Sequence, residues 1–151
     1  MAPTTGYRRL VVGTDGSATA ELAVQHAATL AGAFGAELVI VSAFLPSPFV
    51  ADAQREAPED MKWRITDVGQ AEDHAESARD IAKQAGAKKI RMREESGDPA
   101  DALITVAEDT GADCIVVGSR GMSSASRFVL GSVPNRVSHH APCDVLIVHT
   151  V

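Results

Sequence analysis

The chain has 151 residues, 45% of them hydrophobic and 23% charged, which fits one ordinary globular domain spanning 1–151. Aromatic residues make up only 4%, which argues against an aromatic-cored β-sandwich and against a base-stacking nucleic-acid platform. The formal net charge is −6; with no Lys/Arg run this speaks against nucleic-acid binding, and no apolar run approaches the ~18 residues of a membrane-spanning helix.

Residues 1–6 carry no pattern and are expected to be flexible; the opening "MAPTTGYRR" lacks the apolar segment of a secretory signal, so the expectation is a cytoplasmic protein without membrane attachment. "RRLVVGT" (8–14) reads as a first strand. A helix follows from Ser17 to Phe34, with Ala20, Val24, Ala27, Ala31 and Phe34 on one stripe and Gly35 as its stop. "AELVIVSAF" (36–44) is a second strand. The segment 45–63, with Pro46, Pro48 and Pro58, has no clear periodicity and reads equally as a mobile loop or a lid.

From Thr66 to Ala85, Val68, Ala71, Ala75, Ala78, Ala82 and Ala85 recur at helical spacing, and Gly86 ends the run. "KKIRMRE" (88–94) alternates, as a half-exposed edge strand should. Asp98 before Pro99 predicts an N-cap with proline at the first helical position; Leu103, Val106 and Ala107 face inward and Gly111 closes the helix. "DCIVVGS" (113–119) and "DVLIVHT" (144–150) are strands, separated by a short helix from Ser132 to about His140 with Pro134 in its first turn. The order β-α-β-α-β-α-β-α-β predicts a doubly wound α/β domain with helices on both faces of an open, mostly parallel five-stranded sheet.

Ligands of such sheets bind beyond the carboxyl ends of the strands, where strand order reverses. Two strand ends stand out: "VVGTDGS", where Asp15 precedes the first helix, and "VGSRGMSSASRFVLGS" (117–132), rich in glycine and serine. Asp15 serves there either as a ligand-binding carboxylate or as the cap of the first helix. Gly118 and Gly121 allow backbone N–H groups to approach an anion closely, and Gly131, Ser132 and Val133 open a helix whose N-terminus favours phosphate. The Ser132 hydroxyl either contacts a ligand or caps that helix. Arg120 and Arg127 are candidate countercharges or simply solvated loop residues. Cys114 and Cys143 lie in apolar runs and read as reduced thiols, since a bridge between neighbouring strands would be strained. His26, His74, His139, His140 and His149 form no triad or metal spacing, so no catalytic residue and no metal ligand is expected.

The segments "VVGTDGSATAELAVQHA", "GDPADALITVAEDTGADCIVVGSRG" and "LGSVPNRVSHHAPCDVLIVHT" together resemble the universal stress protein family, in its small single-domain form, over essentially the whole chain. The nucleotide-binding branch of that family carries G-x2-G-x9-G-[ST], which Gly118, Gly121, Gly131 and Ser132 fit without gap. The resemblance implies strand order 3-2-1-4-5, in the manner of adenine nucleotide alpha hydrolases. It implies an adenine nucleotide as ligand, ATP first, with AMP or cyclic AMP as alternatives; whether Mg²⁺ accompanies it stays open. It places Thr14 and Asp15 at the ribose and base, Val41 and Ala43 at the adenine, and the 117–119 backbone, including Ser119, beside the nucleoside. It also implies a homodimer paired through the last strand (144–150). A slow ATPase or a nucleotide-dependent transferase is the alternative, although no nucleophile–base pair or Walker-type lysine is present.

Overall fold

Uninterrupted apolar runs can still obey the two-residue period of a strand when both faces are covered, and that is how this sheet is built. A computed structural model describes residues 6–45, 55–56, 68–119 and 130–150. Its strands are β1 (Arg9–Gly13), β2 (Glu37–Phe44), β3 (Lys89–Ser96), β4 (Cys114–Gly118) and β5 (Asp144–Val148). The helices are α1 (Ala18–Phe34), α2 (Val68–Ala85), α3 (Pro99–Thr110) and α4 (Ser132–His140). The five strands form one sheet in the order β3-β2-β1-β4-β5, with every pairing parallel. The segment 45–63 lies outside the described residues except for Leu45 and residues 55–56, as do residues 1–5.

Alternation splits the core in two. Leu10, Val12, Leu38, Ile40, Cys114 and Val116 pack under α1 and α2, against Val24, Ala27, Ala78 and Ala82. Val11, Val39, Val41, Ile115 and Val117 face the other way, against Leu103, Val106 and Val137 of α3 and α4. Each fully buried Val, Leu or Ile side chain contributes about 1.5–3 kcal/mol of burial free energy. Alanine on the helix faces lets the helices sit close to the sheet: Ala23, Ala27, Ala28 and Ala31 of α1 are all buried. Where α1 meets the end of α2 on the same face of the sheet, a Cβ on Gly32 would lie 2.5 Å from the Gly86 carbonyl oxygen, so glycine there permits the contact.

Caps fix where the helices begin. Ser17 caps α1, its hydroxyl accepting from the Ala20 amide, and Asp98 caps α3, accepting from the amides of Ala100 and Asp101. Gly35 and Gly111 end α1 and α3 in left-handed conformation. Two residues expected on buried stripes are instead half-exposed, Phe34 and Val68, each 47%. Phe34 is the last residue of α1 and packs edge-on against Tyr7, ring centroids 5.7 Å apart; Val68 is the first residue of α2.

At the amino-terminal end of the sheet, Asp113 accepts from the amides of Arg8 (2.7 Å) and Arg9 (2.8 Å), tying the start of β1 to β4. Cys114 and Cys143 are free thiols, and they pack on opposite faces of the sheet. Burial pushes the Cys114 thiol up, and burial together with the neighbouring Cys114 raises Cys143 to about 11. Both stay protonated and weakly nucleophilic at neutral pH.

Candidate functional site

The strand order reverses between β1 and β4, which lie side by side with Leu10, Val11 and Val12 opposite Cys114, Ile115 and Val116. A cleft opens beyond their carboxyl ends, as the topology of open parallel sheets dictates. Its floor is Gly13, Val41, Ala43, Val117 and Gly118. Ser17, Thr19, Ala20 and Ala23 wall it from α1, and Pro99 and Leu103 from α3. Gly131, Ser132, Val133 and Pro134, at the start of α4, close the remaining side. The lining is mainly apolar with a few polar groups, the usual make-up of a small-molecule site.

The turn after β1 is tightly organised. The Thr14 amide donates to the Val41 carbonyl at 2.9 Å, extending the β1–β2 ladder past the strand. The Thr14 hydroxyl accepts from the Gly16 amide (3.2 Å), and Asp15 Oδ1 accepts from the Ser17 amide (2.9 Å). Gly16 takes φ +79°, a conformation that L side chains rarely adopt. Asp15 is therefore not the cap of α1; Ser17 is. Its carboxylate braces the turn through one oxygen, while the other makes no hydrogen bond among the described residues. A carboxylate in that state is an acceptor for hydroxyl groups of a ligand.

Across the cleft, α4 begins at Gly131, which has φ −61° and no side-chain cap. Ser132 is the first helical residue, so it does not cap the helix. Neither Gly118 nor Gly131 is among the described glycines with positive φ. Backbone conformation alone does not demand glycine at these two positions. An uncapped helix start with its positive dipole end facing a cleft favours an anion.

Of the residues singled out from sequence, Thr14, Asp15, Val41, Ala43, Gly118, Gly131, Ser132 and Val133 all line this one cleft. Arg120, Gly121 and Arg127 lie outside the described residues. Ser119 does not line the cleft. Its amide donates to the Val148 carbonyl (2.7 Å), and its hydroxyl accepts from the Thr150 amide (3.2 Å), so it turns toward β5. Sequence reasoning missed Ala20, Pro99 and Leu103 as lining residues because each already had a structural part in a helix. Helical spacing puts Ala20 on the buried stripe of α1, but it sits in the first turn above the strand ends, only partly buried and lining the cleft. Leu103 fits against Gly13, where an added Cβ would lie 3.3 Å from Leu103 Cδ2.

No group of three or more His, Cys, Asp or Glu side chains suited to a metal occurs among the described residues. Among the same residues no helix is long and apolar enough to cross a membrane.

The sheet order and the cleft at its reversal point define an open α/β protein of the adenine nucleotide alpha hydrolase-like class. The sequence profile of the universal stress protein family matches residues 6–149. Over 144 residues the chain is 42% identical to a universal stress protein of Mycobacterium tuberculosis (strain ATCC 25618 / H37Rv), covering 95% of this chain and 97% of that one. The chain belongs to the universal stress protein family. Its fold is also similar to that of a universal stress protein crystallised in complex with cAMP, with TM-score 0.73 and 35% identity over 97% of this chain and 100% of the other. A universal stress protein from Archaeoglobus fulgidus in complex with dAMP shares the fold, with TM-score 0.67 and 23% identity over 93% and 97% of the two chains.

Proposed function

We infer that this protein binds an adenine nucleotide in the cleft between β1 and β4, and that it acts as a nucleotide-dependent regulatory protein of the stress response in the cytoplasm. One observation carries the reading: the cleft joins an apolar slot (Val41, Ala43, Leu103), a carboxylate with one oxygen available (Asp15) and the start of a helix whose cap residue, Gly131, makes no side-chain cap bond. That sequence of surfaces matches base, sugar and phosphate in turn. The relative of 35% identity bound to cAMP supports an adenine nucleotide, and the G-x2-G-x9-G-S spacing of Gly118, Gly121, Gly131 and Ser132 favours ATP. ATP is therefore the first choice and cyclic AMP the second, with Mg²⁺ accompanying the phosphates if ATP is bound. The protein is a binding protein rather than a catalyst, and neither nucleic acid nor membrane is its partner.

The same reading makes it a homodimer. β5 is an edge strand whose Leu146 and Ile147 are 37% and 39% exposed, a bare apolar edge that would invite unwanted pairing unless a second copy covers it.

Heat denaturation of the freshly purified protein tests the ligand. Released adenine nucleotide, identified by mass, is the expected result; a different class of small molecule in its place would overturn the reading.

A further inference from the structure

We propose that His74 of α2 is a positioning residue for the nucleotide cleft, holding the Asp15-bearing turn in shape through Gly16; the proposal rests on the nucleotide-binding reading above. Asp15 and Thr14 face the cleft, but the turn that carries them has a back side as well. There, Thr14, Gly16, Glu21, His74 and Ser77 line a second, smaller pocket, so Thr14 forms part of the wall between the two.

The contact at the back is close. A Cβ on Gly16 would lie 2.6 Å from His74 Cδ2 and 2.7 Å from Nε2. The imidazole edge thus fills the space any other residue at position 16 would need. Gly16 meets two demands at once, positive φ and a ring in the space where a Cβ would stand. Its own amide is held by the Thr14 hydroxyl, and the next amide by Asp15. Displacing Gly16 therefore displaces both cleft residues.

The ring is held by fit rather than by hydrogen bonding. Nδ1 of His74 is buried and makes no hydrogen bond among the described residues. An unpartnered buried nitrogen costs stability that an aliphatic residue would avoid. A thin planar edge that fits over a glycine is what the imidazole supplies in exchange. Since α2 packs along β2, β3 and α1, the position of this helix is transmitted to Asp15, and filling the cleft is coupled to α2.

Two substitutions and two readouts test this on the full-length chain. In ligand-free protein, His74→Ala should shift or broaden the backbone amide resonances of Asp15 and Gly16 while leaving those of Gly131 and Ser132 in place. By calorimetry with ATP, and with cyclic AMP in parallel, His74→Ala should weaken binding by on the order of tenfold. His74→Phe keeps a planar edge and should restore binding to near the unmodified level. His74→Ala with unchanged affinity, or equal losses in His74→Ala and His74→Phe, would overturn the proposal. If the unmodified protein takes up neither nucleotide, it is the nucleotide-binding reading that fails. The ligand-free spectra then decide the positioning role: undisturbed Asp15 and Gly16 resonances count against it, displaced ones for it.

Discussion

The Gly131 amide donates to the Ser119 carbonyl at 2.9 Å, joining the two halves of the glycine motif where the chain leaves β4 and where it enters α4. The Ser119 side chain faces away, toward Thr150. Ser119 therefore holds Gly131, a residue that does line the cleft, through its backbone carbonyl, which any residue supplies. Ser119→Ala should cost about 1 kcal/mol through the lost acceptor for the Thr150 amide, read by urea denaturation. ATP affinity should stay close to that of the unmodified protein, and a large loss would mean that the hydroxyl itself reaches the ligand.

Gly32 separates helix propensity from packing. Alanine inside a helix gains up to about 1 kcal/mol over glycine, and less in the last turn where Gly32 lies, but here its Cβ would lie 2.5 Å from the Gly86 carbonyl oxygen, a backbone atom with little room to move. Overpacking of that kind costs about 1–3 kcal/mol, so packing wins. Gly32→Ala should lower the denaturation midpoint; a higher midpoint would show that the two helices separate freely.

The strands were legible because the apolar runs are short and bounded by Gly, Asp and Pro, and the edge position of β3 because "KKIRMRE" alternates while its neighbours do not; the full strand order came from the family resemblance. Helix starts were legible where the cap is a side chain, as at Asp98. They were less so at α4, where backbone geometry puts Gly131 rather than Ser132 at the cap position. Two strand ends and the glycine spacing pointed to Thr14, Asp15, Gly118, Gly131 and Ser132 of the cleft, while Val41 and Ala43 came from the family resemblance. Ser119, Leu103 and the His74–Gly16 contact were not legible, because each depends on which residue of a distant element comes to rest against it. No local pattern encodes that.

Alkaline pH should destabilise the protein by a defined route. Cys143 is raised from 9.0 to about 11 in the fold, chiefly by burial. A raised folded value means the fold favours the protonated thiol, so its contribution is complete below pH 9 and is lost as pH rises toward 11. Tyr7 follows higher up, raised to about 12 first by the charge of Cys114 and then by burial. Cys143→Ala should flatten the fall in stability between pH 9 and pH 11, measured by chemical denaturation in that window; an identical fall in both proteins would assign it elsewhere.

The exposed edge of β5 should respond to charge. Leu146 and Ile147 lie on opposite faces of that strand, and both are partly exposed. Ile147→Lys should convert a dimer into a monomer by light scattering at micromolar concentration while leaving the β1–β4 cleft intact. A monomeric unmodified protein, or a variant that still dimerises, would contradict the proposed pairing.

Calorimetric titration with ATP, AMP and cyclic AMP, repeated on Asp15→Asn and Asp15→Ala, tests the nucleotide-binding reading most directly. Asn keeps an oxygen for the Ser17 amide but removes the charge, whereas Ala removes both. The expected result is saturable binding of at least one of these nucleotides at one site per chain, weakened in Asp15→Asn and weakened further in Asp15→Ala. No saturable binding of any of the three, or binding indifferent to both substitutions, would contradict it.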